Sequence, residues 1–278
     1  MTAPRIDAHQ HFWQLSNPWT DWPTASEGVI YRDYGPGDLE PLIKPSGIDK
    51  TILVQAAPAF EETLDLIQLA EATPFVAGVV GWIDFETPPK ALKSLEALTE
   101  TSVFKGVRPM LQSIDDTEWI LRDAFRPIFK KLEQDNLSFD ALVQPRHLPV
   151  VRLLADRYPD LNIIIDHCAK PDIAGNDLSG WSADMAKCAE RENIVCKISG
   201  LLTEASQGAG LEGIAPVFDH CLNAFQPERL LWGSDWPVVN LNGNYAYWHD
   251  LANKLTAPLS SNAQASIMGG TAERIYHL

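Results

Sequence analysis

R-I-D-A-H-Q-H-F-W, residues 5–13, is a short apolar segment that turns polar at its far end. In a β-strand, residues i and i+2 share a face, so His9 and His11 point the same way, about 7 Å apart along the strand. Asp7 falls on that face one step earlier. Two imidazoles converging from a strand end can bind a metal or polarise a substrate, but H-x-H alone recurs by chance in many chains. Its weight depends on whether the same design returns downstream.

It returns seven times. T-I-L-V-Q (51–55), F-V-A-G-V-V-G-W (75–82), F-K-G-V-R-P-M (104–110), L-S-F-D-A-L-V-Q (137–144), L-N-I-I-I-D-H (161–167), N-I-V-C-K-I-S-G (193–200) and R-L-L-W-G-S-D-W-P (229–237) all read as strands. Amphipathic stretches at 61–72, 88–100, 117–135, 148–158, 181–192 and 211–225 read as helices between them, with further helices closing the chain. Eight such units predict an α/β fold, a single (β/α)8 TIM barrel filling residues 1–278, close to the usual barrel length of about 250 residues. A doubly wound nucleotide-binding sheet would show G-x-G-x-x-G after its first strand, and none is present. Residues 13–37 carry Trp13, Trp19, Trp22, Tyr31 and Tyr34. This connection exceeds the ordinary loop length of about 12–15 residues and reads as a lid-like loop after strand 1.

Composition narrows the partners. A 45% hydrophobic content is enough for a full core, and a formal charge of −15 argues against nucleic acid and against an anionic membrane surface. A small-molecule substrate remains compatible, because local cations in a pocket outweigh a screened global field beyond roughly 8–10 Å. The four cysteines form no C-x-x-C pair and read as buried thiols, with Cys168 and Cys196 out of phase with the pocket. No secretory leader and no apolar membrane-spanning run is legible, so a cytoplasmic protein is expected. The sequence leaves the oligomeric state open.

Barrel chemistry sits at the C-terminal ends of the strands. There the sequence places His9 and His11, Arg108, Gln144, His167, Lys197 and Asp235, in frames otherwise filled by Val, Ile and Leu. Alternation pairs Gly106 with Arg108, Ile165 with His167, Val195 with Lys197 and Gly233 with Asp235, so all could face one pocket. Singly, each has a plain explanation as a rim, turn or snorkelling residue. The conjunction of seven polar groups at one end of the barrel predicts a functional site. His147, His220, His249 and His277 fall in helical or tail positions and are set aside.

H-Q-H on strand one, D-H on strand six and G-S-D-W-P on strand eight resemble the amidohydrolase superfamily. The likeness is closer to its sugar-acid lactonases, similar to L-fuconolactonase and L-rhamnonolactonase. It is carried by I-D-A-H-Q-H-F-W, K-G-V-R-P, D-A-L-V-Q-P-R-H-L-P, I-D-H-C-A-K-P, C-K-I-S-G-L, L-L-W-G-S-D-W-P-V and T-A-E-R-I-Y-H-L, which span nearly the whole chain. The resemblance implies a hydrolase of carboxylic ester bonds that opens a sugar-acid lactone, with Asp235 as general base for water and His167 orienting or polarising the substrate. His9 and His11 would be metal ligands or donors to the lactone carbonyl. Arg108, Gln144 and Lys197 are expected to hold the substrate, and Trp13, Trp82 and Trp236 to offer flat faces to a sugar ring.

Metal-rich members of that superfamily bridge two metals through strand-four and strand-five ligands. Here those strand ends carry Arg108 and Gln144, so a binuclear centre is not expected. Two cofactor states stay open: one zinc held by His9, His11 and Asp235 with His167 as a further ligand, or metal-independent catalysis in which Arg108 and Lys197 stabilise the developing charge. Other readings are a metal-dependent decarboxylase of an aromatic or muconate-type acid, a lactone isomerase, and a sugar-acid binding protein on a degenerate barrel.

Overall fold

The computed structural model describes residues 3–278. The β-branched runs form eight strands, β1 Ile6–Gln10, β2 Lys50–Val54, β3 Val76–Gly81, β4 Phe104–Val107, β5 Ser138–Ala141, β6 Ile163–Ile165, β7 Ile194–Ile198 and β8 Leu230–Trp232. Each pairs in parallel with its sequence neighbours, in the order β1 to β8. A parallel bridge between Gln10 and Trp236 joins the far ends of β8 and β1 and closes the barrel. The expected (β/α)8 TIM barrel is the architecture.

Helices cross between the strands: α1 Pro36–Ile43, α2 Phe60–Glu71, α3 Pro88–Leu98, α4 Arg126–Gln134, α5 Leu148–Arg157, α6 Ser179–Ala189, the short α7 Leu201–Glu204, and α8 Leu211–Phe225. Helices α9 Tyr245–Thr256, α10 Ser261–Ala265 and α11 Thr271–Ile275 close the chain. The helix expected over 117–135 is shorter. Two single 3-10 turns, Trp119–Leu121 and Asp123–Phe125, precede α4, whose start is set by Pro127 in its first turn. Helix α1 is the crossover that the sequence pattern did not reveal.

Alternation along the strands sorts the core into two layers. Ile52, Val54, Val80, Ile164, Val195 and Leu231 point into the barrel, where Ala272 and Ile275 of α11 and Tyr276 just after it stopper it. Leu53, Val79, Phe139, Ile163, Ile165, Cys196 and Trp232 point outward against the helices. Cys168, Cys196 and Cys221 lie buried together on that outer side, their reactive atoms within 4.8 Å of one another. The 13–37 connection is ordered. Trp13 and Tyr34 pair as an antiparallel bridge at its base, and a 3-10 turn, Ala25–Ile30, capped by Thr24, lies within it.

Candidate active site

Strand β1 does not alternate regularly. Its register against β2 shifts between Asp7 and Gln10, and this bulge turns both Ala8 and His9 inward. His9 and His11 therefore share the inner face as expected, while Asp7 does not. Its carboxylate accepts from the Ser234 amide (2.8 Å), the His9 amide (3.2 Å) and the Tyr245 hydroxyl (3.1 Å). Burial pushes the Asp7 carboxyl up to about 6 against these bonds.

Strand β6 also departs from the expected phase. Ile163 and Ile165 face outward, so simple continuation would send His167 the same way. The chain instead enters a left-handed turn in which His167, Cys168, Ala169 and Lys170 all have φ between 51° and 61°. Asp235, after β8, is also left-handed, with φ 56°. Such conformations cost non-glycine residues about 1–2 kcal/mol each and concentrate at functional sites. The turn swings the His167 ring back over the barrel mouth, where Nδ1 meets the Ser199 hydroxyl at 2.8 Å. Gly200 makes room for it, since a Cβ there would lie 2.8 Å from the His167 Nδ1. Gly233 does the same for His9, whose Cβ would lie 2.7 Å away.

Three imidazoles thus turn their Nε2 atoms toward one carboxylate. Asp235 Oδ1 lies 3.4 Å from His11 Nε2 and 3.8 Å from both His9 Nε2 and His167 Nε2. His9 and His11 Nε2 are 3.2 Å apart. Burial alone would raise the Asp235 carboxyl, but the facing His167, His11 and His9 outweigh it and hold it well below the usual carboxylate range. Burial pushes His167 down to about 4 despite the pull of Asp235. At neutral pH the centre is an ionised carboxylate facing the neutral ring of His167.

A cavity of about 300 Å³ opens above this centre. His11, Arg108, His167 and Asp235 form its polar side, and Trp22, Met110 and Leu142 line it with apolar surface. Arg108 donates to the Gln55 carbonyl and lies 3.6 Å from Asp166, while its Nε is buried without a protein partner. Gln144 lines a neighbouring polar recess with Arg146, Lys170 and Glu204, and Gln112 and Lys170 border both spaces.

Four expected contacts lie elsewhere. Lys197 does not reach the cavity: it is fully buried in the barrel, donating to Asp140 and lying 3.0 Å from Asp166. Its strand-end position is right, but these acids hold it below the floor. Trp236 packs edge-on against Phe12 and Tyr34, and its carbonyl accepts from the His11 amide at 2.8 Å, so it closes the barrel instead of facing substrate. Trp13 lines a separate recess against α2, and Trp82 lines an apolar recess that borders the cavity only through Met110 and Ser113. The tryptophan of the 13–37 loop that does reach the cavity is Trp22. His9 has no exposed surface and sits beneath His11.

Gln55, Asp140, Asp166 and Ser199 were missed. Gln55, Asp166 and Ser199 are polar residues at strand ends, where that signal was present, whereas Asp140 lies inside the 137–144 run. Asp166 and His167 are adjacent, and assigning one inward by alternation hides the other.

The donors His9, His167 and Asp235 lie within 4.8 Å of one another, a set compatible with an N/O-ligated ion. The family described as amidohydrolase matches residues 6–278. An L-fucono-1,5-lactonase of Burkholderia ambifaria is 41% identical over 281 residues, covering 99% of this chain and 96% of that protein. An L-fucono-1,5-lactonase of Burkholderia multivorans is 36% identical over 290 residues, covering 100% and 97%. The crystal structure of an amidohydrolase from Burkholderia multivorans with bound zinc superposes with a TM-score of 0.93 at 35% identity, covering 99% of this chain and all of that one.

Proposed function

Since the chain belongs to the amidohydrolase family, we propose that it is a hydrolase that opens a sugar-acid lactone, an aldonolactone of the L-fucono-1,5-lactone kind, to its aldonic acid. The observation that carries this reading is the ionised Asp235 ringed by three imidazoles on the floor of a cavity that Arg108 also lines.

Lactone hydrolysis needs an activated water, a carboxylate within hydrogen-bond reach of it, and donors where the carbonyl oxygen gains charge. Water seated on Asp235 attacks the carbonyl carbon and leaves its proton on the carboxylate. Arg108 receives the developing oxyanion. On collapse the ring C–O bond breaks, and the alkoxide leaving group takes the proton from Asp235. His167, neutral and fixed by Ser199, orients the substrate against Asp235. Gln144 and the Lys170–Glu204 edge read the sugar hydroxyls, and Trp22 of the 13–37 lid covers an apolar part of the ring.

A single zinc ion fits this donor set. His9, His11 and Asp235, with His167, would hold it, and the 3.2–3.8 Å separations between their facing atoms compare with ~3.3 Å for ligands sharing one tetrahedral zinc. When bound, zinc supplies Lewis-acid polarisation of the carbonyl.

A panel of aldonolactones, followed by acid release with a pH indicator and by NMR of the product, tests the assignment. Hydrolysis of at least one 1,5-lactone to the open acid is expected. No acid release across the panel, or a product that is an isomeric lactone, would overturn it.

A further inference from the structure

Below the cavity floor the barrel holds a buried charge cluster that the proposed reaction does not use directly. Lys197 is fully buried and has three polar neighbours: Asp140 Oδ2, to which it donates, Asp166 Oδ1 at 3.0 Å, and His9 Nδ1 at 3.2 Å. Asp140 is held in turn by the Tyr276 hydroxyl at 2.8 Å and Ser138 at 3.1 Å. An ammonium has three donors and no acceptor, so its third contact presents a hydrogen to His9 Nδ1. The competing carboxylate, Asp166 Oδ1, lies 3.5 Å from that nitrogen, beyond an ordinary N–H···O bond.

His11 is fixed from the other side. Its Nδ1 lies 2.7 Å from the Val54 carbonyl, which can only accept, so its proton is on Nδ1 and its Nε2 offers a lone pair. His9 Nε2 faces that lone pair at 3.2 Å. Hydrogen direction is then the same along the row: Lys197 to His9, His9 to His11, His11 to Val54. Every donor meets an acceptor only if His9 carries its proton on Nε2.

We propose that Lys197 is a positioning residue that fixes His9 as the Nε2–H tautomer and thereby sets the response of the site to metal. An imidazole binds an ion only through a bare nitrogen. His9 joins a zinc site only after its proton moves to Nδ1, against Lys197 and toward Asp166. Lys197 thus weights the floor toward a proton-ordered histidine pair and away from ion capture. This rests on the site reading given above but not on the identity of the substrate.

The test is long-range 1H–15N NMR of protein labelled with 15N-histidine, treated with chelator, with the His9 signals assigned by their loss in His9→Gln. Wild type should show the Nε2–H pattern. A double variant, K197M/D140N, removes the ammonium together with one of its acids, so that no unmatched charge is added to the barrel. It should switch His9 to Nδ1–H, facing Asp166, and bind zinc about tenfold more tightly in a calorimetric titration. Wild-type His9 in the Nδ1–H form would overturn the proposal whether or not the variant folds, and so would unchanged tautomer and zinc affinity in a folded variant. Lactone turnover plays no part in either readout, so failure here is distinct from failure of the lactonase assignment.

Discussion

His167 shows how much of the site depends on single backbone positions. Its ring reaches Asp235 only because four consecutive residues adopt left-handed φ and because Gly200, itself at φ 65°, leaves the ring its space. Gly200→Ala adds a methyl 2.8 Å from the His167 Cγ and Nδ1 and strains a left-handed residue. The expected outcome is a modest loss of stability, about 1–2 kcal/mol, with a fall in kcat of about 10²-fold or more, because displacing a reacting group by an ångström carries that cost. Thermal unfolding and steady-state kinetics on a cleaved lactone check it. A variant that loses stability but keeps full turnover would remove His167 from the site. No propensity predicts this turn, since D-H-C-A-K carries no glycine. The sequence could place His167 at the mouth but could not show how it gets there.

Among the elements, α2 and the exit of β2 set the wall beside Arg108. The Glu62 carboxylate, in the first turn of α2, accepts from the Ala56 and Ala57 amides at 2.9–3.1 Å. These follow Gln55, whose carbonyl takes the Arg108 guanidinium. Burial, opposed by these bonds, pushes the Glu62 carboxyl up to about 7 from an ordinary 4.5. A carboxyl raised in the folded state favours folding while protonated, and that contribution is lost as pH rises through about 7. Glu62→Gln removes the dependence. Between pH 5 and pH 9, its stability relative to wild type should shift in its own favour by roughly 2–3 kcal/mol, measured by denaturant unfolding. Parallel curves would contradict the buried-carboxylate account. The start of α4 was not legible, although Pro127 stands in its first turn, because the apolar pattern runs on through the two 3-10 turns before it. Nor was the bulge in β1, because nothing in I-D-A-H-Q-H marks the step at which alternation breaks; Asp7 was therefore given the wrong face while His9 and His11 received the right one.

At the scale of the molecule, eight repeats of one pattern made the barrel readable, since each strand independently repeats the same apolar run with a polar end. The location of the site followed from the fold. Membership of the cavity did not, because strand-end position fixes height along the barrel axis and leaves open what a neighbouring strand will do. Asp140 and Asp166 draw Lys197 into the interior, and Tyr34 and Phe12 take Trp236 into the core. Among the described residues no helix is long and apolar enough to cross a membrane. The account as a whole stands on Asp235, which the sequence singled out and around which the structure gathers three histidines, two from the end of β1 and one from the turn after β6. Its most direct test is turnover of L-fucono-1,5-lactone, or whichever aldonolactone the panel finds best, by Asp235→Asn beside wild type, with unfolding curves confirming an intact barrel. A fall in kcat of about 10³-fold or more is expected for loss of the group that activates water. Near-normal hydrolysis by the folded variant would contradict the account.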